Sequence, residues 1–236
     1  KHLLPAAASR SGIELGKDFS ISQKLLEKII SDYTREAGVR ELDRLLEKLT
    51  RSRAKEIVLG KKIEPEISES VMLRYLGAPR FTNGVLPAPG HFGRITGLAW
   101  TSVGGEILTI ECMLLSGRGK VTLTGRLGDV MKESVQIAIS LVRARLKRYG
   151  VDPDLVRKTD IHIHVPEGAV PKDGPSAGIA MTLVILSAFT RIPVKPDIAF
   201  TGEVSLCGEL LPIGGLNEKS LAAKEAGVKT LYVPEG

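Results

Sequence analysis

The sequence contains few of the residues that build disulfide frameworks, thiolate metal sites or base-stacking surfaces. Its two cysteines, Cys112 and Cys207, lie in different segments without a CxxC spacing. Neither a disulfide framework nor a zinc site is therefore predicted, and a reducing compartment is the expected location. Aromatic residues make up 4% of the chain, which is low for a surface that stacks the bases of nucleic acids.

Long apolar runs are absent too. The longest, IAMTLVILSAF (179–189), is too short to span a bilayer and lacks the flanks of a signal peptide, so no membrane association is expected. The net charge of +6 is spread along the chain, which allows weak nucleic-acid binding but does not define a basic patch. A hydrophobic content of 43% and a charged content of 25% are typical of a globular protein with one large or two smaller domains.

The first third of the chain, residues 1–80, is predicted to be all-helical. Apolar residues recur at three- and four-residue spacing in ISQKLLEKII (21–30) and VRELDRLLEKLTRSRAKEIVLG (39–60), and a short third helix is expected at about 68–76. The segment 77–93 is rich in Gly and Pro and has no helical or strand period. It predicts a domain boundary.

Residues 81–236 are predicted to form a mixed α/β domain. Two strands flanking Gly104-Gly105 are expected to pair as a hairpin, followed by a third strand in GKVTLTG. An amphipathic helix follows at 129–150, with Asp129 as its N-cap. Further strands and helices alternate to the end of the chain. The predicted class is therefore α+β: a small helical bundle followed by a mixed α/β domain.

The segment PEGAVPKDGPSAGIAMTLVIL (166–186) places Ser176 between small residues at the start of an apolar helix. Small neighbours would let a substrate backbone approach the hydroxyl, and the unpaired N–H groups of a helix start could stabilise a developing oxyanion. The alternative is that Ser176 merely caps its helix, since serine is a preferred N-cap residue. The GPSAG sequence is not the GxSxG elbow of α/β-hydrolases.

A serine nucleophile needs a base, and two kinds of candidate are present. His162 and His164 alternate on the strand IHIHV, so both side chains are expected on the same face. Either could form a Ser–His pair, or both could simply be polar residues on a half-exposed face. Two histidines could also begin a metal site, but no third ligand stands out nearby, so no metal site is predicted.

The other candidate base is Lys219, which follows Gly214 and Gly215 in the first turn of an Ala-rich helix. A lysine acts as a base only when it is neutral, so its pKa must fall from about 10.4 to about 7–8. Burial and the positive end of a helix dipole both lower a lysine pKa. The alternative is a solvated surface lysine, and Lys172 and Lys224 are rival bases.

Three motifs in this order, HIHVPEG, PKDGPSAG and TGEVSLCGELLPIGGLNEK, resemble the peptidase domain of Lon-type ATP-dependent proteases. The resemblance covers essentially the whole chain. It implies that Ser176 is the nucleophile, that Lys219 in the GGLxEK motif is the base, and that the hydroxyl of Thr201 lies near the lysine amine and helps to orient it. The segment LAWTSVGGEIL, with Trp100, resembles the family's strand pair beside the substrate groove.

The helical part resembles the small lid subdomain of an AAA+ ATPase. YTREAGVRELDR is similar to the stretch that carries the sensor-2 arginine, which corresponds to Arg40. The resemblance implies that this guanidinium approaches the phosphates of ATP, held with Mg²⁺, in the intact enzyme. No phosphate loop of the form GxxxxGKS or GxxxxGKT occurs in the sequence. The chain is therefore expected to need no cofactor of its own and to hydrolyse no ATP by itself.

The resemblance further implies an endopeptidase that cleaves unfolded polypeptides through an acyl-enzyme and assembles as a homo-hexamer, in the cytoplasm of a bacterium rather than in the mitochondrial matrix. Two departures from the family pattern are Asn217, where the motif often has lysine, and the end at VPEG, which predicts a missing terminal helical piece. The start without methionine indicates a piece of a longer protein. The residues alone leave two other interpretations open, a basic nucleic-acid-binding module and a Ser–His hydrolase.

Overall fold

A computed structural model describes residues 2–36, 38–81, 86, 88–101, 104–166 and 173–235. The chain divides into two compact units, Lys1–Asn83 and Gly84–Gly236. The described residues of the first unit form helices joined by loops and two isolated bridges, whereas the second unit combines helices with a six-stranded sheet. The predicted α+β class is confirmed. Within the described part of the chain, no helix is long and apolar enough to cross a membrane.

The first unit is built from helices α1 (Leu3–Arg10), α2 (Gln23–Tyr33), α3 (Arg40–Val58) and α4 (Glu69–Leu76). The Ser22 hydroxyl accepts a hydrogen bond from the Leu25 N–H at 3.3 Å and caps the start of α2. The apolar positions that recur along α2 and α3 pack inward, and Ile29 and Leu49 are completely buried. The three- and four-residue spacing of the sequence therefore accounts for this helical core.

The strands of the second unit are β1 (Arg94–Thr101), β2 (Gly104–Ser116), β3 (Val121–Thr124), β4 (Thr159–His164), β5 (Ile198–Phe200), β6 (Glu203–Val204), β7 (Leu210–Leu211) and β8 (Thr230–Tyr232). Its helices are α5 (Asp129–Arg145), α6 (Pro153–Arg157), α7 (Gly178–Thr190) and α8 (Leu216–Glu225), with 3₁₀ turns at Leu146–Tyr149 and Pro175–Ala177. The main sheet has the order β3-β4-β2-β1-β5-β8, and β6 pairs with β7 separately. The β1–β2 and β2–β4 pairs are antiparallel, whereas β3–β4, β1–β5 and β5–β8 are parallel.

The hairpin predicted around the Gly-Gly pair is confirmed, but the glycines do not form its turn. Strands β1 and β2 pair in antiparallel register from Arg94↔Glu111 to Thr101↔Gly104. Gly104 and Gly105 are therefore the first residues of β2. A Gly-Gly pair is typical of a hairpin turn, whereas a glycine inside a strand marks the close approach of another part of the backbone.

Different helices cover the two faces of the sheet. On one face, Ile110 of β2 belongs to an apolar cluster with Val135 of α5 and Val184 of α7. On the other, Leu98 of β1 packs with Ala223 of α8. Burying one large aliphatic side chain contributes about 1.5–3 kcal/mol, so the three helices are fixed firmly against the central strands. The starts of α7 and α8 carry the two leading candidates for catalysis.

Candidate active site

Ser176 lies in the 3₁₀ turn Pro175–Ala177, immediately before α7. The N-cap residue of α7 is Ala177, and no side chain caps this helix. The interpretation of Ser176 as a helix cap is therefore wrong. Its side chain is half-buried, and its hydroxyl makes no hydrogen bond with the residues that the structure describes. The hydroxyl is consequently free to act on a bound molecule.

The backbone of Ser176 is held from the segment that follows β5. The Ser176 carbonyl accepts hydrogen bonds from the Gly202 N–H at 2.8 Å and from the Thr201 hydroxyl at 3.3 Å. Ile179 of α7 in turn donates its N–H to the Gly202 carbonyl at 3.1 Å. Thr201 is completely buried, and its hydroxyl, bonded to the Ser176 carbonyl, helps to fix the serine turn. Its predicted approach to the amine of Lys219 stays a prediction.

Lys219 lies in the first turn of α8, where its N–H donates to the Gly215 carbonyl at 3.0 Å. Only 2% of the residue is exposed, which excludes the solvated surface lysine. Burial lowers the pKa of Lys219, and no charged or hydrogen-bonding side chain of the described residues opposes this shift. The positive end of the helix dipole acts in the same direction. The environment therefore favours the neutral amine that a base requires.

Ser176 and Lys219 line the same cleft, which has a volume of about 270 Å³. Strand β1 supplies one wall of this cleft, and Trp100, more than half exposed, lies at the end of that strand. The remaining lining residues are Leu98, Ala99, Met131, Asp173, Gly174, Pro175, Glu203, Pro212, Ile213 and Gly214. The fold thus brings together three of the residues singled out by the sequence, which lie far apart along the chain.

Two glycines allow the β1–β2 hairpin to press against the lysine turn. A Cβ atom on Gly105 would lie 2.0 Å from the Glu218 carbonyl oxygen and 2.9 Å from the Lys219 nitrogen. Gly215 has a φ of +70°, and a Cβ atom there would lie 2.7 Å from Cγ of Trp100. Trp100 and Gly105 face each other across the hairpin. We name these contacts the hairpin–α8 clamp.

Asp173 lines the cleft and was not singled out by the sequence. Its carboxylate accepts hydrogen bonds from the Met131 N–H at 3.0 Å and the Gly174 N–H at 2.9 Å, so it caps α5 from a distant segment. The prediction of Asp129 as N-cap is wrong: Asp129 is the first residue of α5, and its carboxylate pairs with Lys132 at 2.8 Å. The sequence shows a carboxylate, Asp173, three residues before Ser176. Only the fold shows that this carboxylate caps α5.

The histidines lie elsewhere. His162 and His164 occupy the same face of β4, as predicted, and both rings are within hydrogen-bond distance of the Thr124 hydroxyl. Neither histidine lines the cleft that holds Ser176. Among the rival bases, Lys224 is exposed on α8, and Lys172 lies outside the described residues. The geometry therefore favours Lys219 over the two histidines and Lys224.

Arg40 is the first residue of α3, in the helical unit, and it is exposed. The carboxylate of Glu36 accepts the N–H groups of Glu41 at 2.8 Å and Leu42 at 3.0 Å. These backbone hydrogen bonds lower the pKa of Glu36. The N–H groups of Glu41 and Leu42 at this helix start are thus satisfied by the Glu36 side chain, and Arg40 is exposed.

No group of three or more His, Cys, Asp or Glu residues suited to hold a metal ion occurs in the described part of the chain. Both cysteines are free thiols, Cys112 buried and Cys207 exposed. Burial raises the pKa of Cys112 to about 12, so its thiol is a poor nucleophile. Besides the carboxylates of Asp173 and Glu203, the cleft therefore offers the Ser176 hydroxyl and the Lys219 amine as reactive groups.

Comparison with known proteins identifies the family of the chain. The model of the Lon protease (S16) C-terminal proteolytic domain matches residues 66–236, and that of the Lon protease AAA+ ATPase lid domain matches residues 11–66. The Lon protease of Azorhizobium caulinodans is 49% identical over 100% of this chain and 27% of its own length. That of Brucella suis biovar 1 is 50% identical over 100% of this chain and 29% of its own length.

The Lon protease of Escherichia coli strain K12 is 48% identical over 99% of this chain and 30% of its own length. The chain thus spans less than a third of the curated relatives that it matches. The family models cover nearly the whole sequence in two consecutive matches. The chain therefore belongs to the Lon protease family and contains its lid domain and its C-terminal proteolytic domain.

Proposed function

We propose that this chain carries the peptide-hydrolysing centre of an ATP-dependent serine endopeptidase, with Ser176 as nucleophile and Lys219 as base. The observation that carries the proposal is the shared cleft. A serine hydroxyl and a buried lysine amine, both without a side-chain partner among the described residues, line the same cavity. Activated serines lie within reach of a positioned base. No described histidine competes for this role in the cleft.

Acylation would follow from the chemistry of these two groups. The neutral amine of Lys219 takes the proton of Ser176 as its Oγ attacks the scissile carbonyl carbon. N–H groups at the start of α7 stabilise the oxyanion of the tetrahedral intermediate. The protonated amine then gives its proton to the leaving nitrogen, the C–N bond breaks, and the ester of Ser176 remains.

Deacylation would repeat the same proton transfers with water. Lys219 takes a proton from the attacking water, the second tetrahedral intermediate collapses, and the carboxylic acid leaves as the proton returns to Ser176 Oγ. Thr201 would support both steps, because its hydroxyl anchors the Ser176 carbonyl at 3.3 Å. Asn217, the second residue of α8, places no additional cation beside the lysine.

The substrate would be an extended polypeptide laid along the cleft. Trp100 is 57% exposed although it lines the cavity, so its ring offers apolar surface to a substrate side chain. A cleft that runs beside strand β1 can accept an extended, unfolded polypeptide more readily than the surface of a folded protein. We therefore propose unfolded polypeptides as the substrate class.

The rest of the activity would need the intact protein. We propose that ATP and Mg²⁺ act there, with Arg40 contacting the nucleotide phosphates, and that the intact protein forms a homo-hexamer in the bacterial cytoplasm. The two free thiols fit a reducing compartment. Direct nucleic-acid binding would be weak, because the net charge of +6 is dispersed.

The test of the proposal is Ser176→Ala, with Ser205→Ala as the matched control. Ser205 is half-buried and bonds within the β6–β7 hairpin. Hydrolysis of a short fluorogenic peptide, which needs no unfolding, should fall by several orders of magnitude in the Ser176 variant alone. A peptide boronate should also add to Ser176 only, as located by mass mapping. Near-normal hydrolysis by a folded Ser176→Ala protein would refute the assignment.

A further inference from the structure

A second group of polar side chains lies outside the cleft, on the neighbouring strands β3 and β4. His162 and His164 project from β4, and Thr124 lies on the neighbouring parallel strand β3 directly beside His164. The Thr124 hydroxyl oxygen is 3.0 Å from Nε2 of His162 and 2.7 Å from Nδ1 of His164. Two ring nitrogens therefore converge on one point, and the proposed peptidase chemistry uses neither of them.

The single Thr124 hydroxyl cannot donate to both histidine rings. A hydroxyl has one proton, so it can donate to only one of the two rings and must accept an N–H from the other when both rings are neutral. The two nitrogens cannot lie further apart than the sum of their distances to the shared oxygen. A modest rotation of the two rings would bring both lone pairs to one metal ion at about 2.0–2.1 Å.

The surroundings select the type of ion. Glu111 faces His164 across β2 and β4, but its carboxylate is paired with Arg94 at 3.1 Å. The donors that converge on one point here are imidazole nitrogens rather than carboxylate oxygens. Imidazole suits zinc, nickel and copper, whereas magnesium and calcium require oxygen ligands. The hydrogen bonds that define the group are exposed to solvent, so water can complete the coordination shell.

From this convergence we infer that His162 and His164 form a surface site for a first-row divalent transition metal. The ion is held by Nε2 of His162 and Nδ1 of His164, with water in the remaining positions. Thr124 orients the two rings in the metal-free protein and is displaced from their lone pairs when the ion binds. The site is independent of Ser176 and Lys219, because neither histidine lines the cleft.

The experiment is a titration of the whole chain with Ni²⁺ by calorimetry, without an affinity tag. The exposed Cys207 and the near-terminal His2 are first changed to Ser and Ala, because each can bind a transition metal by itself. In that background, one Ni²⁺ should bind per chain, and amide resonances of β3 and β4 should broaden. Mg²⁺ should produce neither effect.

The decisive variants are His162→Ala and His164→Ala, with the exposed His91→Ala as the matched control. Each of the first two should weaken Ni²⁺ binding at least about tenfold, since even loss of an outer partner has that effect, and His91→Ala should leave it unchanged. His162→Asn and His164→Asn keep a polar contact for Thr124 and should lose binding without loss of thermal stability. Parent-like affinity in the Asn variants, or broadening centred away from β4, would overturn the site.

Discussion

Lys219 is a buried amine without a charged or hydrogen-bonding partner among the described residues, and at the scale of single residues this sets it apart from the other buried ionisable groups. In the helical unit, Arg53 and Glu56 are also buried, but they lie 3.9 Å apart, and the Glu56 carboxylate receives further hydrogen bonds from Tyr75 and Arg74. A buried charge that lacks such partners shifts its pKa toward the neutral form. Groups in clefts whose pKa is shifted by burial are typical of functional sites.

The lysine should therefore be essential to hydrolysis. Lys219→Gln and Lys219→Met keep most of the side-chain volume but remove the proton acceptor, so the rate of peptide hydrolysis should fall by about 10²–10⁴-fold. Lys219→Arg should fail equally, because a guanidinium stays protonated. The matched control is Lys224→Gln, on the exposed side of the same helix, which should retain activity in a fluorogenic peptide assay.

Substitution of the two histidines shows which result would contradict the prediction that Lys219 is essential. If a His162→Asn and His164→Asn double variant lost hydrolysis while Lys219→Gln retained it, a Ser–His mechanism would replace the lysine. The pH profile separates the two mechanisms independently. A lysine base gives a rate that rises with pH in the neutral-to-alkaline range, as the pH passes its lowered pKa. An ordinary histidine has a pKa near 6.5, with a variation of about one unit among proteins.

The same burial should make Lys219 destabilising. Because the folded protein lowers the pKa of Lys219 below its ordinary 10.5, the unfolded chain binds more protons between the two pKa values, and stability rises with pH in that window. Lys219→Met should therefore be more stable than the parent below the folded pKa, and the difference should shrink as the pH approaches 10.5. Denaturant midpoints across this range measure it; a pH-independent difference would contradict it.

At the scale of elements, the hairpin–α8 clamp connects the β1–β2 hairpin to the turn that carries the lysine. Gly105 has no room for a methyl group, because the Glu218 carbonyl oxygen would lie 2.0 Å from it. The obstruction is backbone, not the end of a flexible side chain, so it cannot rotate away. The clamp thereby fixes the first turn of α8 and, with it, the depth at which Lys219 is buried.

Gly105→Ala should consequently displace this turn. Overpacking of this kind destabilises by about 1–3 kcal/mol, and the shift should reduce peptide hydrolysis in addition to the melting temperature. Gly214→Ala is the control for stability, since it adds the same methyl group beside the same turn but meets nothing within 4 Å. Calorimetry compares the two; equal melting temperatures and a fully active Gly105→Ala protein would show that the clamp is not needed.

The elements also show how far the sequence leads. Periodicity predicts the helices and the hairpin, because both depend on local spacing. It cannot predict the parallel pairing of β1 with β5, where Thr96 faces Ala199, since no local pattern links segments so distant. The prediction of the α5 cap is wrong for the same reason. The residue that accepts the hydrogen bond, Asp173, lies 42 residues along the chain from Met131, whose N–H it binds.

The site follows the same division. Ser176 and Lys219 were identifiable because their motifs are long and specific, and the chemistry of each residue could be weighed beforehand. Their common cleft depends on the sheet, which places the starts of α7 and α8 beside the end of β1. The Gly-Gly pair misled the prediction because a turn and a close backbone contact both select glycine.

At the scale of the whole molecule, the chain combines a helical unit that has a nucleotide-contacting candidate with a second unit that has a hydrolytic one. The sequence lacks the phosphate loop that would bind the β- and γ-phosphates. The first N–H groups of α3, which could otherwise bind an anion, are occupied by the Glu36 carboxylate. Arg40 is then the main group left at this helix start for a phosphate.

The chain should therefore bind ATP weakly at most and should not hydrolyse it. Calorimetry with ATP and Mg²⁺ measures the binding, and phosphate release measures turnover. Any residual affinity should fall in Arg40→Ala and persist in Arg51→Ala, which removes an exposed arginine from the same helix away from its start. Equal losses of ATP affinity in both variants would mean that ATP binding depends only on the overall positive charge of α3 and not on Arg40 itself. Sustained phosphate release from the pure chain would mean that the helical unit contains a catalytic nucleotide site, which is incompatible with the absence of a phosphate loop and with the capped start of α3.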